Sequence, residues 1–156
     1  MQIDRRAVLV AIGAAVAIGG RGRAEDKPLV TVYKDPSCDC CDAWIGHIEG
    51  AGFPTKVVQT AGMSELKFNL RVPYTVRACH TAIVADYLVE GHVPAEAIVR
   101  LLAEKPVLKG GLAVPGMPVG SPGMEMPGTA PEEYDVLLFG DGEPRRFMRF
   151  RGGERI

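Results

Sequence analysis

Three of the chain's four cysteines fall within one four-residue window, Cys38-Asp39-Cys40-Cys41, inside the stretch KDPSCDCCDAW. What surrounds the window limits the folds open to it. Leu29-Val-Thr-Val-Tyr-Lys34 alternates and is rich in β-branched residues, which predicts a strand. Asp35-Pro36-Ser37 predicts a turn. From Cys41 to Gly50, Cys41, Trp44, Ile45 and Ile48 recur at helical spacing, so they predict a helix with those four on its inner face. Thiols thus stand where a strand gives way to a helix, and a strand-helix unit must cross over to a parallel neighbour.

The remaining pattern supplies that neighbour. Phe53–Gln59 predicts a strand, and Met63–Leu70 a short helix with Met63, Leu66 and Leu70 inward, closed by Val72-Pro73. His80–Val84 and Tyr87–His92 predict a hairpin turning at Ala85-Asp86. Pro94 opens a helix whose buried face is Ala97, Ile98, Leu101 and Leu102. The order is β-α-β-α-β-β-α, so the expected class is α/β with a thioredoxin-like domain.

Residues 110–131 hold six glycines and five prolines together with Met117, Met124 and Met126, and show no apolar periodicity. They are expected to form a long irregular loop lying on the domain. Residues 134–139 and 145–150 predict a terminal hairpin, within 134–150.

The first 24 residues read differently. Arg5-Arg6 precedes fourteen uncharged residues, Ala7–Gly20, and Gly22 and Ala24 suit a cut after Ala24. Basic, then apolar, then small is the layout of an export signal, and the apolar run is short for a membrane span. Residues 25–156 are then expected to form one exported, periplasmic domain with no membrane association after cleavage. Removing Arg5, Arg6, Arg21, Arg23 and Asp4 from 18 basic and 19 acidic residues leaves 14 and 18. A net charge near −4 without an aromatic-laced basic patch argues against a nucleic-acid partner.

Export bears on the thiols, because closely spaced cysteines oxidise outside the cytoplasm unless a metal or a redox cycle holds them. Cys38 and Cys41 form a Cys-x-x-Cys at the start of a helix, where amides and the helix dipole favour a thiolate at Cys38. Cys79 immediately precedes the third strand. The Ala85-Asp86 turn centres the hairpin so that position 79 or 80 faces His92. Four thiols and the imidazoles of His80 and His92 would then share one end of the sheet. Adjacent Cys40 and Cys41 cannot easily chelate one ion, but each can bridge two, which favours a polynuclear thiolate site. Thiolate and thioether ligands select Cu(I). The candidate metal ligands are therefore Cys38, Cys40, Cys41, Cys79, Met117, His92, His80, Met124 and Met126. Two other readings remain open: a thiol–disulfide oxidoreductase using Cys38 and Cys41, and a domain stapled by Cys38–Cys41 and Cys40–Cys79 disulfides.

Val32-Tyr-Lys-x-Pro-x-Cys-x-Cys-Cys41, Ala78-Cys-His-Thr-Ala82, Val89-Glu-Gly-His-Val-Pro94 and Gly111-Leu-Ala-Val-Pro-Gly-Met-Pro-Val-Gly-Ser-Pro-Gly-Met-Glu125 together resemble one family over roughly residues 28–150. It is the exported Cys-x-Cys-Cys metal-binding family, long called a domain of unknown function, that includes the CopG-type copper-resistance proteins. The resemblance implies a thioredoxin-like periplasmic domain that handles copper as a cysteine-bridged multinuclear Cu(I) cluster. Cys38, Cys40, Cys41 and Cys79 match the family's metal-binding cysteines, with Met117 and His92 the first further candidates. It implies metal ions and other periplasmic copper-resistance proteins as partners. If the leader is read correctly, mass spectrometry of periplasmic material will show a chain beginning at Glu25; an intact segment 1–24 would refute it.

Overall fold

In the computed structural model, which describes residues 26–156, Val30, Val32 and Lys34 are buried along one side of the first strand, with Thr31 and Tyr33 half-buried on the other. The expected export signal, residues 1–24, lies outside the described residues. Strand β1 (Val30–Lys34) leads into helix α1 (Asp39–Gly50), β2 (Thr55–Gln59), α2 (Met63–Asn69), a 3-10 turn (Tyr74–Val76), β3 (Thr81–Val84), β4 (Tyr87–Glu90) and α3 (Ala95–Glu104). The β-α-β-α-β-β-α order is therefore present. Helix α1 buries Cys41, Trp44, Ile45 and Ile48, the four residues its spacing singles out, although it starts at Asp39 rather than Cys41. Asp39 and Asp42 in its first turn suit the positive end of the helix dipole. Helix α3 buries Ala95, Ala97, Ile98 and Leu101, while Leu102 is only half-buried.

The last third of the chain departs from expectation. Gly111–Ala113 is not loop but a strand, β5, which pairs in parallel with β4 and antiparallel with β6 (Glu133–Gly140). Through β5 the terminal hairpin, β6 with β7 (Gly142–Arg151), joins the main sheet, and β8 (Glu154–Arg155) adds a last short strand. One eight-stranded sheet results, ordered β2-β1-β3-β4-β5-β6-β7-β8. The chain is thus a mixed α/β structure in which the hairpin continues the sheet. Two adjacent glycines hid β5. A Cβ on Gly111 would lie 1.8 Å from the Leu88 carbonyl oxygen, so only glycine allows the two backbones to meet there.

Alternation sorts the sheet's two faces. Val30, Val32, Ala82, Val84, Val89 and Leu112 pack with Trp44, Ile48, Ile98 and Leu101 in a core under α1 and α3. Ala113 and Phe139 instead pack with Val72 and Val76, which follow α2 on the opposite side. Met63, Leu66 and Leu70, expected inward, are half-buried, and the residue that α2 buries is Lys67. The reason lies in the face it meets, where Thr81 pairs with Glu90 across β3 and β4 and offers oxygens to an ammonium. Among the described residues no helix is long and apolar enough to cross a membrane.

Gly111→Ala should destabilise the fold by about 3 kcal/mol, because the clash is with backbone that cannot step aside. Gly46→Ala, in α1 where a Cβ meets nothing within 4 Å, should stabilise by about 1 kcal/mol. Urea melts of the two variants beside the parent chain measure both.

Candidate metal centre

The turn between β1 and α1 is built by Asp35. Its carboxylate accepts the Ser37 N–H at 2.9 Å and the Ser37 hydroxyl at 2.6 Å, and its carbonyl accepts the Cys38 N–H at 3.1 Å. Cys38 thereby becomes the N-cap of α1, with φ −88° and ψ 91°, and Cys40 and Cys41 occupy the first turn. Lys34, 2% exposed at the end of β1, donates to Asp42 at 2.7 Å and ties strand to helix beside the thiols.

Cys79 comes from the other side. Thr81 pairs with Glu90 and Ala82 with Val89, and Gly91 N–H donates to the His80 carbonyl at 3.0 Å, a register that carries Cys79 to His92. The Cys79 Sγ lies 3.2 Å from His92 Nε2 and 3.3 Å from His80 Nδ1. The four cysteine sulfurs lie within 4.8 Å of one another, and so do the ligand atoms of Cys79, His80 and His92. Cys38 and Cys41 are joined in a disulfide, with the Cys40 Sγ 3.6 Å from that of Cys38. Cys40 and Cys79 are free, so of the two disulfides weighed from the sequence one is present and Cys40–Cys79 is not. Cys38, read from its helix position as a low-pKa thiol, is in this state half of a disulfide.

Both imidazoles are fully buried. Burial holds His80 well below the usual imidazole range, helped by the charges of His92 and Lys67, and it lowers His92 as well. Both are therefore neutral at physiological pH. His92 Nδ1 sits 2.8 Å from the Pro122 carbonyl, which can only accept, so Nδ1 carries the hydrogen and Nε2 turns its lone pair toward Cys79. His80 packs on Trp44 at 4.4 Å between ring centroids and meets His92 edge-on at 5.2 Å. Its Nε2 has no hydrogen-bond partner among the described residues. Burial, reinforced by Cys40, pushes the Cys79 thiol up to about 12. The site gathers soft and borderline donors, with the Cys79 thiol and both imidazoles held in their neutral forms. A soft cation can offset that burial by ionising the thiols it binds.

The glycine- and proline-rich segment covers this end of the sheet. A Cβ on Gly123 would lie 2.7 Å from the Trp44 backbone nitrogen and 2.9 Å from the Cys40 carbonyl oxygen, so the segment rests directly on the first turns of α1. Met124 follows that contact and is half-buried, whereas Met117 and Met126 are 55% and 53% exposed. The structure brings the four cysteines, His80 and His92 together. Sequence reasoning missed two supporting groups. Trp44 fixes the start of α3 by donating its indole N–H to the Val93 carbonyl at 2.9 Å, and Pro122 sets the His92 tautomer. Trp44 stood on the predicted inner face but read as core, and a backbone carbonyl leaves no sequence signal.

Comparison with known proteins supplies the relatives. A family model described as "Protein of unknown function, DUF411" matches residues 76–124. Two solved structures match: "Copper resistance protein copG- Form 1", with 41% identity over 81% of this chain and 99% of that one at a TM-score of 0.73, and "Form 2", with 39% identity over 80% and 98%, also at 0.73. No curated protein matches the chain.

With the Cys38–Cys41 disulfide closed and metal absent, Cys79 should resist iodoacetamide at neutral pH. Its labelling should climb only as pH is raised toward about 12. Peptide mass spectrometry reads this directly, and labelling at the rate of the same cysteine in urea would contradict the burial argument.

Proposed function

We propose a copper-holding function for this chain, which belongs to the DUF411 family together with the CopG copper resistance proteins. The observation that carries it is the convergence of four sulfurs within 4.8 Å, with two neutral imidazoles at the Cys79 side. On this reading the protein is exported to the periplasm as a thioredoxin-like domain and holds Cu(I) in copper resistance, passing it among other periplasmic copper-resistance proteins. Cys38, Cys40, Cys41 and Cys79 are its thiolate ligands, and their number and adjacency favour bridging of several ions. His92 offers the Nε2 lone pair that Pro122 orients, and His80 lies next to the same sulfur. Met117, Met124 and Met126 offer thioethers from the covering segment, where side-chain motion can bring them in.

Loading all four sulfurs requires the Cys38–Cys41 disulfide to be opened first by an external dithiol, which gives up two electrons and two protons and leaves as its own disulfide, so that two thiols result. Each thiol then loses a proton as it binds metal. Two Cu(I) ions oxidised to two Cu(II) would supply the same two electrons, so the disulfide links the oxidation state of the sulfurs to that of copper. The same disulfide supports a second reading, a thiol–disulfide oxidoreductase in which Cys38 attacks a substrate disulfide and Cys41 resolves it. That reading makes Cys79 a bystander.

Copper content separates the two. Reconstituted with Cu(I) under reducing, oxygen-free conditions, the wild-type protein should take up several equivalents. Cys79→Ser should lose equivalents while keeping its circular dichroism, because a protonated hydroxyl is a poor Cu(I) ligand. Met117→Leu conserves volume and should keep the fold while lowering affinity in competition with a Cu(I) chelator. Equal copper in folded wild type and Cys79→Ser would place Cys79 outside the site and favour the oxidoreductase.

A further inference from the structure

Lys67 and Glu90 are 5% and 0% exposed and belong to neither the thiol group nor its imidazoles. Glu90 Oε1 accepts from the Lys67 ammonium and, at 2.7 Å, from the backbone N–H of Ala78. Its Oε2 accepts from the Thr81 hydroxyl at 2.7 Å, and that hydroxyl accepts in turn from Lys67 at 2.8 Å. Ala78 precedes Cys79, and Glu90 stands two residues before His92. One carboxylate thus ties the segment that delivers the thiol to the strand that delivers the imidazole it meets.

Packing alone does not call for charge here, since apolar residues of similar volume replace a buried ion pair at little cost or with a gain. What an apolar pair cannot do is accept the Ala78 N–H. Space around that segment is equally constrained, for at Gly91 (φ +73°) a Cβ would lie 2.5 Å from that of Ala78. We propose that Lys67 and Glu90 are positioning residues whose buried pair holds the Ala78–Cys79 segment so that the Cys79 sulfur faces His92. The proposal rests on the copper-holding reading for its functional consequence, though the positioning itself is a property of the metal-free protein.

Two double variants remove the buried charge and differ in the acceptor: Lys67→Met with Glu90→Gln keeps an oxygen for Ala78, and Lys67→Met with Glu90→Leu does not. Each is read by iodoacetamide labelling of Cys79 without metal in mildly alkaline buffer, and by Cu(I) competition against a chelator. The Leu pair should label several times faster and lose about tenfold in Cu(I) affinity, the scale on which groups behind a metal ligand act, while the Gln pair stays near wild type. Equal labelling in a folded Leu pair overturns the proposal, as does faster labelling with unaltered Cu(I) affinity. Equal losses in both pairs overturn it too, by assigning the effect to charge. If the Leu pair fails to fold, Thr81→Val removes the hydroxyl shared by both partners, and unchanged Cys79 labelling there is the overturning result. A wild-type protein that takes up no Cu(I) while the labelling difference persists would reject the copper reading and leave the positioning intact.

Discussion

The register of β3 on β4 is the constraint from which the site follows. With Thr81 opposite Glu90, the backbone carries Cys79 toward His92 at one end of the hairpin and leaves only Ala85-Asp86 for the turn at the other, with Ala85 at φ +49°. A slip of β4 by one residue on β3 would invert its faces, sending Glu90 toward the apolar core and Val89 toward Lys67. Hydrophobic burial on one face and the ion pair on the other therefore specify the same alignment. The thiol–imidazole contact at 3.2 Å is a by-product of that agreement.

Burial then decides the chemistry. Placed in water, Cys79, His80 and His92 would titrate in their ordinary ranges; inside this fold each is driven toward its neutral form. A hard, strongly hydrated ion gains little from such donors, because among the described residues the grouped ligand atoms are sulfurs and imidazole nitrogens. A polarisable ion that prefers sulfur and imidazole loses less hydration and finds donors already gathered.

The parts of this arrangement legible in the sequence are those written in local patterns. Cys41, Trp44, Ile45 and Ile48 announce α1 and its inner face, and the short turn between two β-rich runs gives the hairpin register closely enough to pair Cys79 with His92. β5 was not legible, because three residues led by glycines carry no periodicity and the strand exists only where Leu88 and Phe139 already flank it. The inner face of α2 was misplaced for a different reason. Helical spacing marks which positions can face inward but not what they meet, and here the inward position meets oxygens. The methionines were read from their place in a glycine- and proline-rich segment and, for Met117, from the family resemblance, neither of which gives direction to a side chain.

The order in which these parts leave the ribosome has its own consequence. All four cysteines have emerged by residue 79, whereas Val93, Pro122 and Gly123, which orient and cover them, come later, and β5 and β6 later still complete the sheet. During synthesis the thiols thus precede their shelter, and pairing is a contest between loop lengths. Cys38 and Cys41 are separated by three positions and close a far shorter cycle than any pairing with Cys79, while Cys40 would have to find Cys79 across about 40 residues of unfolded chain. Loop length thus steers a nascent molecule toward pairing inside the Cys38–Cys41 window, where the disulfide seen here lies, and leaves Cys79 reduced when the fold finally closes over it.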